Sequence, residues 1–146
     1  MTVISITSHD DHPSAESALV DAGLEEFNSS AASLDEVRLI SSFARSTSGE
    51  IFGGAVGRIW GPCCELQQLW VEPSHRRQGI GTRLVRAFEA QAALNGCSSV
   101  YLETFSFQSP ALYDALGYSV EYERRCFPHG VVKFHMTRKL PAPDIA

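Results

Sequence analysis

A mixed α/β domain is the architecture this sequence predicts, and three observations carry the prediction. The chain has 146 residues, 44% of them hydrophobic and 20% charged. That is the size and balance of one globular domain, not of a disordered or collagen-like chain. Short segments of alternating apolar and polar residues are interleaved with segments of helical period. No internal repeat, low-complexity tract or Pro-rich linker divides the chain, so residues 1–140 read as one domain and 141–146 as a C-terminal tail.

The elements follow in order. Residues 3–7 (VISIT) alternate branched apolar and small polar residues, as a short strand does. Residues 13–30 place Ala18, Leu19, Ala22 and Phe27 near helical spacing, with Gly23 weakening the middle. Residues 36–44 alternate again, RSTSGE turns the chain, and residues 51–60 (IFGGAVGRIW) form the second arm of an antiparallel hairpin that Gly61-Pro62 stops. Residues 64–71 (CELQQLWV) make a third strand of this group. The clearest helix is residues 79–95, where Ile80, Leu84, Val85, Phe88, Ala92 and Leu94 share a 3.6-residue period and Asn95-Gly96 ends it. Residues 99–105 are a strand, and 109–116 a short helix opened by Pro110 and closed by Gly117. Residues 118–123 and 131–140 are two closing strands around a Pro128–Gly130 turn.

Charge and cysteine use narrow the class. The net charge of −5 argues against a general nucleic-acid binder, and no interleaved basic and aromatic surface supports one. The first 37 residues hold eight acids and no Lys or Arg, whereas residues 38–146 hold 12 bases and nine acids, a balance of +3. No apolar run approaches the ~20 residues of a membrane span, and the N-terminus lacks the basic and apolar regions of a signal peptide. Cys63, Cys64, Cys97 and Cys126 form no C-x-x-C pair, so they read as small hydrophobes of a cytoplasmic protein. His9-Asp10-Asp11-His12 has metal-ligand residue types without a defined geometry, so no metal is expected. His129 and His135 read as structural or surface residues.

Residues 69–85, LWVEPSHRRQGIGTRLV, carry the most information. A strand ends, a turn follows, and Arg76-Arg77-Gln78-Gly79-Ile80-Gly81 opens a helix whose N–H groups favour an anion. Glycines let those amides approach a ligand, and Arg76 and Arg77 add phosphate donors. A Rossmann fingerprint fails at Leu84, and no Gly-Lys-Ser/Thr of a P-loop occurs.

With Arg76, Gly79 and Gly81 in the order Arg/Gln-x-x-Gly-x-Gly/Ala after a strand, the chain resembles the GNAT superfamily of acyl-CoA-dependent N-acetyltransferases. A second block of that family matches Leu112-Tyr113-Asp114-Ala115-Leu116-Gly117-Tyr118. The resemblance covers roughly residues 36–140. It implies a mostly antiparallel central sheet flanked by helices, with a splayed strand pair holding acetyl-CoA as co-substrate. Backbone groups of Leu69, Trp70 and Val71 would then pair with the pantetheine arm, and the loop Arg76, Arg77, Gln78, Gly79, Ile80, Gly81 and Thr82 would hold the pyrophosphate. Arg83 and Arg86 are candidates for the adenosine 3′-phosphate, or solvated residues of a helix face. Many members carry an Asn seven residues before the Tyr; here Ser106 stands there, so that contact is either lost or taken by Ser106, Gln108 or Ser109.

By the same match, Tyr113 protonates the departing thiolate, a sensible transfer between a phenol of pKa ~10 and a thiol of ~8.5. Glu65 is the first candidate for the general base and Glu103, on the neighbouring strand, the second; a water chain is the third. Gln67 and Gln68 are expected on opposite faces of their strand. The acceptor is a primary amine of a small molecule or peptide, and the acidic front suggests a cationic one. A non-catalytic acyl-CoA-binding or regulatory module of the same fold is the alternative, and a homodimer stays open.

Overall fold

The computed structural model describes residues 2–143, which fall into two compact units, one ending at Glu36 and the other beginning at Val37. The first contains α1 (Ser14–Ala31) and a 3₁₀ turn at Leu34–Glu36. The helix runs unbroken through Gly23. The strand expected over residues 3–7 does not form, because alternation alone makes no strand: the ladder needs a partner, and α1 and the 3₁₀ turn supply none.

The second unit is built on one six-stranded sheet. Its strands are β1 (Arg38–Arg45), β2 (Ile51–Trp60), β3 (Cys63–Val71), β4 (Ser99–Phe105), β5 (Ser119–Arg124) and β6 (Lys133–Lys139), and its helices are α2 (Ile80–Leu94) and α3 (Pro110–Ala115). The spatial order is β1-β2-β3-β4-β6-β5. Every neighbouring pair is antiparallel except β3 and β4, which α2 connects in parallel, as a helical crossover requires. The β5–β6 hairpin returns on itself so that β6, not β5, lies beside β4.

The core gathers on the α2 face of the sheet. Ile59, Cys64, Leu66, Val100, Leu102 and Met136 of the strands meet Ile80, Leu84, Val85, Phe88 and Ala92 of α2 and Tyr113, Leu116 and Tyr118 around α3. The helical period placed these α2 residues correctly except Leu94, which stands largely exposed at the last residue of the helix. One charge enters this face. Glu89 is buried and accepts the Tyr118 hydroxyl at 2.8 Å, with Arg86 at 2.8 Å and Arg138 at 3.1 Å. A buried carboxylate is tolerable only when its charge and lone pairs are met in this way. Gly117, at φ 97°, makes the left-handed turn out of α3, and a Cβ there would lie 3.3 Å from Arg138 Nε. Of the cysteines, Cys64 and Cys97 are buried and Cys63 and Cys126 exposed. Burial pushes the Cys64 thiol up to about 12, so it is inert at neutral pH. No helix among the described residues is long and apolar enough to cross a membrane.

Candidate active site

Strands β3 and β4 pair only from Cys63↔Ser99 to Leu66↔Leu102. The cause lies on the other edge of β3. Val56 pairs with Gln68 but Gly57 with Leu66, so Gln67 is an extra residue in β3. Such a bulge bends its strand and ends regular pairing. Beyond Leu66 the two strands part, and residues 67–71 of β3 and 103–105 of β4 each face the resulting wedge with an edge that no strand covers. Gly57 makes the bend feasible. A Cβ there would sit 1.9 Å from the Glu65 carbonyl oxygen and 2.7 Å from the Phe88 ring. Backbone against backbone cannot yield without moving a strand, so Gly57→Ala is expected to cost about 3 kcal/mol or more, at or above the usual range for overpacking. Urea denaturation checks this, and wild-type stability would mean that the strands do not approach so closely.

The loop after β3 is shaped for an anion. Arg76 Nε donates to the Val71 carbonyl at 2.9 Å, tying the loop back to the strand end. Arg77 at φ 63° and Gly79 at φ 75° both take the left-handed conformation. Such alternation turns successive N–H groups towards one concave side. Gly79 is the N-cap of α2 and no side chain caps it. The first intrahelical bond is Arg83 N–H to the Gly79 carbonyl at 3.1 Å, which leaves the amides of Ile80, Gly81 and Thr82 as first-turn donors without helical acceptors. A cleft of about 520 Å³ opens here. Leu69, Trp70 and Val71 form one side, Arg76, Arg77, Gly79, Ile80, Gly81 and Thr82 the floor, and Phe107, Gln108, Ser109 and Leu112 the far side, with His75 at the rim. Two arginines line it and no acid does, a donor set that fits a pyrophosphate.

Two of the residues expected to contact the cofactor do not line this cleft. Gln78 sits between the two left-handed residues and faces a separate cleft with Arg83, over β1 and β2. Ser106 is committed to the segment before β6: its N–H donates to the Val132 carbonyl at 2.7 Å and its hydroxyl accepts from Val132 N–H at 3.0 Å. Gln108 closes the same turn by accepting the Phe105 N–H at 2.8 Å, and it lines the cleft with Ser109. Arg86 is occupied by Glu89 and, like Arg83, does not line the acid-free cleft.

A second cleft, of about 360 Å³, shares Leu69, Trp70, Gln108 and Ser109 with the first and adds Gln67, Gln68, Glu103, Thr104 and Tyr113. Because of the bulge, both glutamines line it, not one as strict alternation implies. Tyr113 is only 6% exposed and packs edge-on against Tyr118 with ring centroids 5.6 Å apart. Burial pushes its phenol up to about 12. Among the described residues its hydroxyl has no hydrogen-bond partner.

The two carboxylates differ. Glu103 lines the cleft, bonded to Lys133 Nζ at 2.6 Å with His135 Nε2 at 3.4 Å; the Lys133 bond above all holds its carboxyl below the usual range. Glu65 lies opposite Tyr101, still inside the paired part of the strands, and is bonded to Arg58 Nε at 3.1 Å. It is absent from the lining of both clefts. The parallel pairing reaches one residue past it, so the wedge opens only after Glu65 has been passed. Sequence reasoning gave Lys133 and His135 no part in the site. Their alternation with Phe134 marks one strand face, but only the placement of β6 beside β4 brings them to Glu103.

Residues 7–118 match the model of the acetyltransferase (GNAT) family. Blasticidin-S acetyltransferase of Streptomyces morookaense is 30% identical over 105 residues, 71% of this chain and 77% of that protein. An acetyltransferase from Bacillus cereus superposes with a TM-score of 0.76 at 25% identity, covering 92% of this chain and 98% of that one. The NatC complex bound to Gag peptide and CoA gives a TM-score of 0.61 at 20% identity over 69% of this chain and 71% of that one, a likeness of fold alone. The splayed strands, the amide-lined loop and the matched sequence agree: this chain is a member of the acetyltransferase (GNAT) family.

Proposed function

We propose that the protein transfers an acetyl group from acetyl-CoA to a primary amine of a small molecule, by direct attack within a ternary complex. The observation that carries this reading is the continuity of the two clefts, one acid-free and rich in amides, the other bearing Tyr113 and Glu103. The loop of Arg76, Arg77 and Gly79–Thr82 would hold the pyrophosphate, with Gln108 and Ser109 across from it. N–H groups on the free edge of β3 between Gln67 and Val71 would polarise the thioester carbonyl, a contribution of ~2.7–4 kcal/mol in comparable acyl transfers. The Val71 carbonyl is taken by Arg76, so the pantetheine arm pairs further back, near Leu69 and Trp70.

The acceptor nitrogen attacks the carbonyl carbon, the C–S bond breaks, Tyr113 gives its proton to the departing sulfur, and the proton that the new amide nitrogen sheds goes to solvent, from which the Tyr113 phenolate is reprotonated. An alkyl ammonium of pKa ~10.4 costs ~4–5 kcal/mol to deprotonate at pH 7. Glu103 is the carboxylate that orients the ammonium, and the proton leaves to solvent at the half-exposed mouth. Lys133 keeps Glu103 ionised for this. Glu65 then serves the strand through Arg58. No cysteine is needed as nucleophile, and none lines either cleft. The relation to blasticidin-S acetyltransferase favours a small-molecule acceptor over a peptide. Thermal shift tests the co-substrate: acetyl-CoA at ~100 times its Kd stabilises the fold by ~2.7 kcal/mol, and no shift with acetyl-CoA or CoA overturns the assignment.

A further inference from the structure

Gln108 is held more firmly than an exposed turn residue needs to be. Its N–H donates to the Phe105 carbonyl at 2.9 Å, and its side-chain Oε1 accepts the Phe105 N–H at 2.8 Å and faces the Thr104 hydroxyl at 3.5 Å. Phe105 is the last residue of β4 and Thr104 is buried, so backbone and side chain of Gln108 are both anchored to the sheet. This fixes the way its amide faces. A backbone N–H can only donate, so the amide oxygen must meet it and the amide nitrogen must point away. Among the described residues Nε2 has no hydrogen-bond partner.

Gln108 also stands where the two clefts meet. Leu69, Trp70, Gln108 and Ser109 line both. A co-substrate whose pyrophosphate lies in the first cleft and whose acceptor enters by the second has its thioester at that junction. Three side chains there can donate a hydrogen bond. The half-exposed Trp70 indole, and the Ser109 hydroxyl at an α3 N-terminus without a side-chain cap bond, have no such anchor. Gln108 alone offers a side-chain donor whose direction is set before the co-substrate arrives. A donor of that kind stabilises developing charge without reorganising at the moment of reaction.

We infer that Gln108 is a catalytic residue whose Nε2 donates to the thioester carbonyl oxygen of acetyl-CoA, across the wedge from the N–H groups of β3. As the amine attacks, that oxygen takes up negative charge; the donor holds it until the C–S bond breaks and the carbonyl re-forms, and Gln108 keeps its protons throughout. This rests on the acetyltransferase reading above and divides the work between two side chains, Tyr113 serving the sulfur and Gln108 the oxygen. Two variants separate the donor from the turn. Gln108→Glu keeps an oxygen for the Phe105 N–H and loses the donor; Gln108→Met loses both but brings no charge. In each, kcat for amine-dependent thiol release is expected to fall by about 10²–10³-fold, the usual worth of one such donor. In Gln108→Met the affinity for CoA, which lacks the thioester carbonyl, should stay within about threefold of the wild type. Infrared difference spectra with acetyl-CoA isotope-labelled at the carbonyl carbon read the contact without any acceptor: the carbonyl band lies at lower frequency in the wild-type complex than in Gln108→Met. A retained thermal melt shows that the variants fold. Coincident bands, a kcat loss under about tenfold in either variant, or a loss confined to CoA affinity overturns the inference and leaves the acetyltransferase reading standing. Acetyl-CoA binding without thiol release to any amine overturns that reading, and the catalytic role of Gln108 with it.

Discussion

Tyr113→Phe is expected to lower kcat by about 10²–10⁴-fold, the usual worth of a positioned general acid, while acetyl-CoA affinity changes by less than threefold. The substitution removes one oxygen and keeps the ring that packs against Tyr118, so the melting temperature should hardly move. The phenol donates to the sulfur only as charge develops there, so its loss appears in kcat and not in binding. The pH profile adds a second check. Burial disfavours the phenolate, so the folded-state pKa, about 12, lies above the unfolded value of ~10. The stability that this group contributes is therefore fully present below pH 10 and lost as pH rises towards 12. It follows that kcat of the wild type has no descending limb from Tyr113 below pH 10. A limb near pH 9 that vanishes in Tyr113→Phe, or a variant with wild-type kcat, would remove Tyr113 as the acid.

Gly79→Glu is expected to weaken acetyl-CoA binding at least 10²-fold and so to abolish the thermal shift that the wild type shows. Gly79 stands at φ 75°, and a Cβ there would meet nothing within 4 Å, so the cost to the fold is mainly the left-handed penalty of ~1–2 kcal/mol. The binding loss has another source. A carboxylate about 4 Å from a phosphate charge costs about 4 kcal/mol near a protein surface, where the effective dielectric constant is ~20. Gly79→Asn separates the two causes, since Asn tolerates the left-handed region and carries no charge; it should keep most of the affinity. Equal loss in both variants would point to backbone strain, and retained affinity in Gly79→Glu would place the pyrophosphate elsewhere.

Much of this site is legible in the sequence because its logic is local. The 99–105 strand, the α2 period and the Gly79 turn each depend on residues within a few positions of one another, and β4 matches its expected range. What was not legible depends on partners distant in sequence. Residues 3–7 alternate like a strand yet form none. The bulge at Gln67 arises from the pairing of β3 with β2, and through it both glutamines reach the cleft while Glu65 stays behind in the paired zone. Nothing near Ser106 in the sequence shows that Val132, 26 residues away, accepts from its N–H and donates to its hydroxyl oxygen. Glu65 stands first as base on the family resemblance alone, and the sequence does not show that β6 brings Lys133 and His135 to Glu103.

Amine-dependent thiol release from acetyl-CoA, with the product followed by mass spectrometry, tests the transfer itself. One N-acetylated amine is expected per CoA thiol released, with no acetylated protein species accumulating when amine is withheld. Acetyl-CoA that binds and shifts the melt, yet gives no thiol release with any amine, would contradict the transfer and leave a binding module of the same fold.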